Sequence, residues 1–157
     1  MKKIILLLLL IINSVIYSQN KPSYPTPKEG YKRVDLMLPK IENQEKYKIE
    51  IRFAQVLSIA ECAEGSFDFK LSNLKEYFGI PPYRFPYYVL ENSNSEILEG
   101  MQEDCKNKTK VNKKILSDTN MFIEYQSSYA RPFYIPESWT LEYRVWKADE
   151  KFITLDK

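Results

Sequence analysis

Between residues 47 and 53 the chain alternates strictly. Tyr47, Ile49, Ile51 and Phe53 are apolar, while Lys48, Glu50 and Arg52 carry charge. Successive side chains of an extended backbone point to opposite faces, so the pattern describes a strand buried on one side and wet on the other. The same period recurs elsewhere. Val34, Leu36 and Leu38 are spaced by Asp35 and Met37, and Phe67, Phe69 and Leu71 by Asp68 and Lys70. Residues 56–62 continue as a second apolar run, and 87–90 read as a short strand. Residues 120–125, 132–135 and 141–147 are rich in aromatic and β-branched types, and 152–155 is expected as a final strand. The best helical candidate is 71–77, two turns at most. Short strands at regular spacing, divided by polar and Pro-bearing turns, predict an all-β domain: an antiparallel β-sandwich or barrel.

Residues 1–19 read as a secretory signal peptide, leaving 20–157 as a single domain. Lys2 and Lys3 precede the unbroken apolar run 4–12, and cleavage is expected after Ser18 or Gln19. The run is shorter than the roughly 20 residues of a membrane span, so no membrane attachment is expected once the signal is removed. Pro22, Pro25 and Pro27 make the new N-terminus an extended leader. About 138 residues remain, enough for one real core.

The chain holds 23 basic and 21 acidic residues, and the two leader lysines account for the difference. A neutral mature chain argues against nucleic acid as partner, because phosphate binding requires a basic face. The lysine-rich stretch 106–114 has no aromatic residue among its cations and reads as a solvated loop. Histidine is absent. That removes Ser-His-Asp and Cys-His catalysis, His-based zinc sites and histidine switching together. No carboxylate pair stands in a catalytic context, so neither an enzyme nor a cofactor is expected.

Cys62 and Cys105 are the only cysteines. In an oxidising compartment they are expected to pair, closing a ring of about 44 residues and stabilising the fold by roughly 4 kcal/mol in the chain-entropy model. Residues 91–104, ENSNSEILEGMQED, run into the second cysteine with little to bury beyond Ile97, Leu98 and Met101. A long polar loop with a covalent anchor suggests a binding loop on a rigid scaffold.

Four segments carry a more specific signal: YPTPKEGYKR at 24–33, YKIEIRFAQVLSIAEC at 47–62, PYYVLEN at 86–92 and YRVWKADEK at 143–151. In this order, with both cysteines in place, they resemble the ecotins, exported bacterial inhibitors of trypsin-fold serine proteases. The last segment is the most specific of the four. The resemblance spans essentially the whole mature chain. It implies a reversible, substrate-like inhibitor in the periplasm, with release beyond it left open. It also implies a homodimer formed by exchange of C-terminal arms, here carrying Tyr143, Val145 and Trp146, and two protease-binding surfaces per subunit.

In the family the reactive bond lies just before the second cysteine, and the primary specificity residue is typically Met. Met101 is of that type, while strict counting back from Cys105 selects Gln102; Met101 is favoured. A flexible, polarisable thioether fits pockets of many shapes, which implies breadth over selectivity. The expected reactive-site loop therefore comprises Glu99, Gly100, Met101, Gln102, Glu103 and Asp104. Its three acids depart from the small neutral residues usual in the family, favouring proteases with basic subsites. The second surface falls on Tyr83, Arg84 and Phe85 and on a loop with Glu124, Gln126 and Ser128, where basic residues would be expected. These departures support an alternative, a non-inhibitory periplasmic protein-binding module on the same scaffold.

Overall fold

The alternating segment at 47–53 proves to be half of a longer strand. In the computed structural model, which describes residues 24–80, 84–100, 109–149 and 151–155, it continues without a break as β2, Tyr47–Ala60. The run at 56–62 is thus an extension of this strand up to Ala60. The other strands are β1 (Tyr31–Leu36), β3 (Glu64–Phe69), β4 (Leu74–Phe78), β5 (Pro86–Leu90), β6 (Ser95–Gly100), β7 (Lys110–Glu124), β8 (Arg131–Pro136) and β9 (Trp139–Lys147). They form two sheets, ordered β1-β8-β5-β4 and β6-β3-β7-β2-β9. Most neighbours are antiparallel. Parallel pairing of β5 with β8, and a short parallel contact of β3 with β7, make both sheets mixed.

The all-β architecture follows the alternation, and Leu36, Ile49, Ile51, Phe53, Phe67 and Phe69 face inward as anticipated. Leu36, Tyr88, Leu90, Phe133 and Ile135 from one sheet meet Ile49, Ile51, Phe53, Phe67 and Phe69 from the other in a single core cluster. Phe67 and Phe133 are fully buried, each contributing about 2 kcal/mol over an exposed position. Trp139, at the start of β9, packs on Phe53, Phe67 and Phe69 with ring centroids 4.9–5.9 Å apart. These tilted and edge-on contacts suit the aromatic quadrupoles.

Four local expectations are corrected. Residues 71–77 are not helical. A single 3-10 turn, Leu71–Asn73, leads into strand β4. The polar stretch 91–104 is not all loop, since Ser95–Gly100 pairs along β3. Backbone pairing there overrides a composition poor in core residues. The lysine-rich stretch is not simply a loop either: Lys110, Lys113 and Lys114 lie in β7, paired with the distal half of β2. Finally, residues 152–155 form no strand. They lie beyond the last pairing of β9, with Phe152, Ile153 and Leu155 fully exposed.

The pairing of β2 with β7 is interrupted opposite Phe53, where the register shifts between Arg52 and Ala54. The extra β7 residues leave the Phe53 amide without a ladder acceptor. Ser117 replaces it: its Oγ accepts from Phe53 N at 3.1 Å and donates to Thr119 O at 2.6 Å. A fully buried serine in a core strand is thereby satisfied.

On the opposite face of β2, Glu50 is only 1% exposed. Its Oε1 accepts from Arg52 Nε at 3.0 Å and Asn120 Nδ2 at 3.1 Å. Its Oε2 accepts from Trp146 Nε1 at 2.7 Å and from Arg144 Nε. β7, β2 and β9 are thus tied across one carboxylate. The Arg144 bond, aided by Trp146, Asn120 and Arg52, outweighs the upward push of burial and holds this carboxyl at about 2, against an ordinary 4.5. A depressed pKa gives stability that is fully present above the ordinary value and is lost as pH falls through the folded one. Denaturant titrations from pH 7 to 2 should therefore show stability falling below about pH 4.5. Glu50→Gln should lower stability at pH 7 by about 2 kcal/mol, through lost charge-assisted bonds, and flatten that acid dependence.

Candidate functional site

Cys62 lies in the tight turn that joins β2 to β3. Ala63 N donates to Ala60 O at 2.9 Å, closing the turn, and Ala63 is fully buried beneath it. Two further contacts bring other segments to this point. Gly100, the last residue of β6, is paired with Glu64. Thr109, just before β7, accepts from Glu61 N at 3.0 Å. The chain therefore leaves this turn at Gly100 and returns to it at Thr109. Both stems of segment 101–108 are fixed to residues on either side of Cys62.

A lysine completes the turn. Lys113 Nζ donates to Glu61 O at 2.5 Å and to Ala63 O at 2.9 Å, the two carbonyls that flank Cys62. The sequence offered a signal for it. Val111, Lys113 and Ile115 share one face of β7, the face on which Ile115 is buried. A cation in that row is out of pattern unless it has an assigned acceptor.

Of the anticipated reactive-loop residues, Glu99 and Gly100 lie on β6, paired with Gly65 and Glu64. Met101, Gln102, Glu103, Asp104 and Cys105 lie outside the described residues, as does Tyr83. β6 is the edge strand of its sheet, with β3 on one side only. Ile97 and Leu98 are both about half exposed. An unpaired edge carrying apolar side chains is the geometry to which an incoming strand adds.

One part of the expected second surface meets a residue just beyond the other. Phe85 stacks on Tyr129, with centroids 4.2 Å apart and planes at 27°. Arg131 approaches the same ring at 6.0 Å. Arg84 is exposed beside Phe85. Gln126 Oε1 accepts from both the amide and the hydroxyl of Ser128 at 2.9 Å, which folds that loop on itself. Glu124 is engaged by Lys48, 3.5 Å away, across the β2–β7 pair. Sequence reasoning missed Tyr129, whose role depends on a ring 44 positions earlier. It also missed Phe78 and Ile80, exposed at the tip of β4.

β9 is the other edge of the five-stranded sheet and pairs with β2 along Trp139–Lys147. Tyr143, Val145 and Trp146 are each about half exposed, although Trp146 is also bonded to Glu50. Among the described residues, no group of three or more His, Cys, Asp or Glu is placed to hold a metal ion. No helix there is long and apolar enough to cross a membrane.

These features define a two-sheet β domain in which the residues flanking segment 101–108 are both tied to one turn. The chain belongs to the ecotin family, whose model, described as Ecotin, matches residues 20–148. Similar proteins include a putative ecotin-like protein of Methylobacillus flagellatus, 27% identical over 86% of this chain and 80% of its own length. Proteins named ecotin from Pseudomonas fluorescens and Serratia proteamaculans are 26% and 28% identical. The alignments span 82% and 81% of this chain, and 77% and 72% of theirs.

If the Phe85–Tyr129 stack joins the two loops, the two rings are energetically coupled. Phe85→Ala and Tyr129→Ala should each destabilise the fold, and the double variant should fall short of their sum by about 1 kcal/mol in chemical denaturation. Strict additivity would mean that the loops are independent.

Proposed function

We propose that this protein is a reversible, substrate-like inhibitor of trypsin-fold serine proteases that acts as a homodimer. One observation carries the reading: in a member of the ecotin family, segment 101–108 begins and ends on the turn that holds Cys62. A disulfide between Cys62 and Cys105 then ties the interior of that segment to the same turn. The loop lies extended in the protease cleft, and Met101, in preference to Gln102, fills the primary pocket. With both stems held, a cut bond keeps its ends together and recloses before water completes the reaction. Ordering the loop in advance lowers the cost of binding and slows release.

Tyr83, Arg84 and Phe85, with Glu124, Gln126 and Ser128, form a second contact on the protease. The exposed arm from Tyr143 through Val145 and Trp146 to Leu155 joins two subunits. The open edge of β9 and the uncovered Phe152, Ile153 and Leu155 support that role. Two moderate contacts held in one dimer gain from effective concentration without a better primary loop. Export by residues 1–19 places the inhibitor in the periplasm, in keeping with an exported family and with an oxidised cysteine pair.

Titration of trypsin, chymotrypsin and elastase with the mature protein should give stoichiometric loss of activity. Undiminished turnover with rapid digestion of the loop would instead favour the non-inhibitory module. Prolonged incubation with catalytic protease should give one nick, after Met101, by intact mass. Met101→Asp should weaken inhibition at least a hundredfold, as expected for a charge placed in a pocket without a partner. Truncation after Ala148 should convert a dimer to a monomer in sedimentation.

A further inference from the structure

We propose that Lys113 is a positioning residue for inhibition, acting on segment 101–108 through the Cys62 turn. The inference rests on the reading above, in which that segment is the inhibitory loop. Lys113 occupies a row of β7 shared with Val111 and the buried Ile115, where strand alternation calls for an apolar side chain. Placing an ammonium at the rim of a core costs desolvation and side-chain entropy. Here the cost is offset by two charge-assisted bonds, to Glu61 O at 2.5 Å and Ala63 O at 2.9 Å.

Those two acceptors are not interchangeable with others nearby. They are the carbonyls of the residues before and after Cys62, so one ammonium holds the 61–62 and 63–64 peptide planes, one on each side of the Cys62–Ala63 bond. The stems depend on the same residues: Glu61 N binds Thr109 O, and Glu64 pairs with Gly100. Rotation of the turn therefore moves both ends of the loop and its proposed disulfide together. A strand-borne lysine that spans the turn resists that rotation from beneath. Its effect on inhibition runs through geometry alone.

The test compares Lys113→Met, which keeps the aliphatic stem without donors, with Lys113→Arg, which keeps donors. Four readouts are taken: thermal unfolding, inhibition of trypsin and chymotrypsin, cleavage rate of the loop by mass spectrometry, and amide hydrogen exchange at 61–64 in the free protein. For Lys113→Met the unfolding temperature should hold or rise, since an apolar side chain then fills the core-facing row. Inhibition should weaken about tenfold, the loss expected of one charge-assisted bond. Cleavage should quicken by a similar factor, and exchange at 61–64 should accelerate. Lys113→Arg should recover most of each.

Unchanged inhibition and cleavage in Lys113→Met, or a loss that merely tracks a lower unfolding temperature, would overturn the inference. So would weakened inhibition with exchange at 61–64 unaltered. Failure of the parent protein to inhibit either enzyme would instead reject the inhibitory reading. Exchange in Lys113→Met would then still decide whether the lysine holds the turn.

Discussion

β2 is paired on both sides, by β7 along nearly its whole length and by β9 along its first nine residues, and the rest of the molecule is arranged around that pairing. Its inner row, Ile49, Ile51, Phe53 and Ile59, supplies one wall of the core. Its outer row places Glu50 where side chains of three strands converge. Its far end delivers Cys62 into a turn that gathers β3, β6 and the start of β7. A strand of 14 residues thus runs from the sheet centre to the turn at which segment 101–108 begins and ends. Rigidity there is a property of the ladder, because long paired strands bend far less than the turns that connect them.

Polar groups inside the domain are placed with the same economy. Glu50 satisfies an arginine and a tryptophan of β9, and so the outermost strand is latched by side chains as well as by its backbone. Ser117 and Thr119 repair the ladder at the bulge, where β7 carries more residues than β2 can pair. Lys113 closes the Cys62 turn from below. In each case a buried or half-buried polar atom would be expensive if unpaired, and each meets a partner that lies far away in sequence. Such pairings restrict the chain to one arrangement more sharply than apolar contacts do, since hydrogen bonds tolerate little displacement.

Much of the fold was legible because alternation is a local property. Inward rows on β1, β2 and β3 could be read directly, since apolar side chains there recur every second residue, while β5 and β8 could be read only as strands. The misread elements share a physical cause. β6 is a polar edge strand and the first part of β7 a polar stretch paired along β2, and in both partners rather than burial decide conformation. Residues 71–77 carry a mixed pattern that two strands, β4 and β5, resolve by pairing. The apolar 152–155 resembles a strand, yet it pairs with no strand among the described residues.

By itself the sequence determined the class of the fold, the inward rows of the strands and kinship with the ecotins, because periodicity and ordered motifs survive without a third dimension. It also supplied the cysteines and the acid-flanked methionine between them. Tertiary structure alone decided that the stems of segment 101–108 meet at one turn, that Phe85 finds Tyr129, and that Glu50 and Lys113 have acceptors and donors suited to their burial. The long-range contacts among them join residues 36 to 96 positions apart, on different strands and turns. No local pattern encodes them, since sheet register and bulge position must be fixed before either partner has a location.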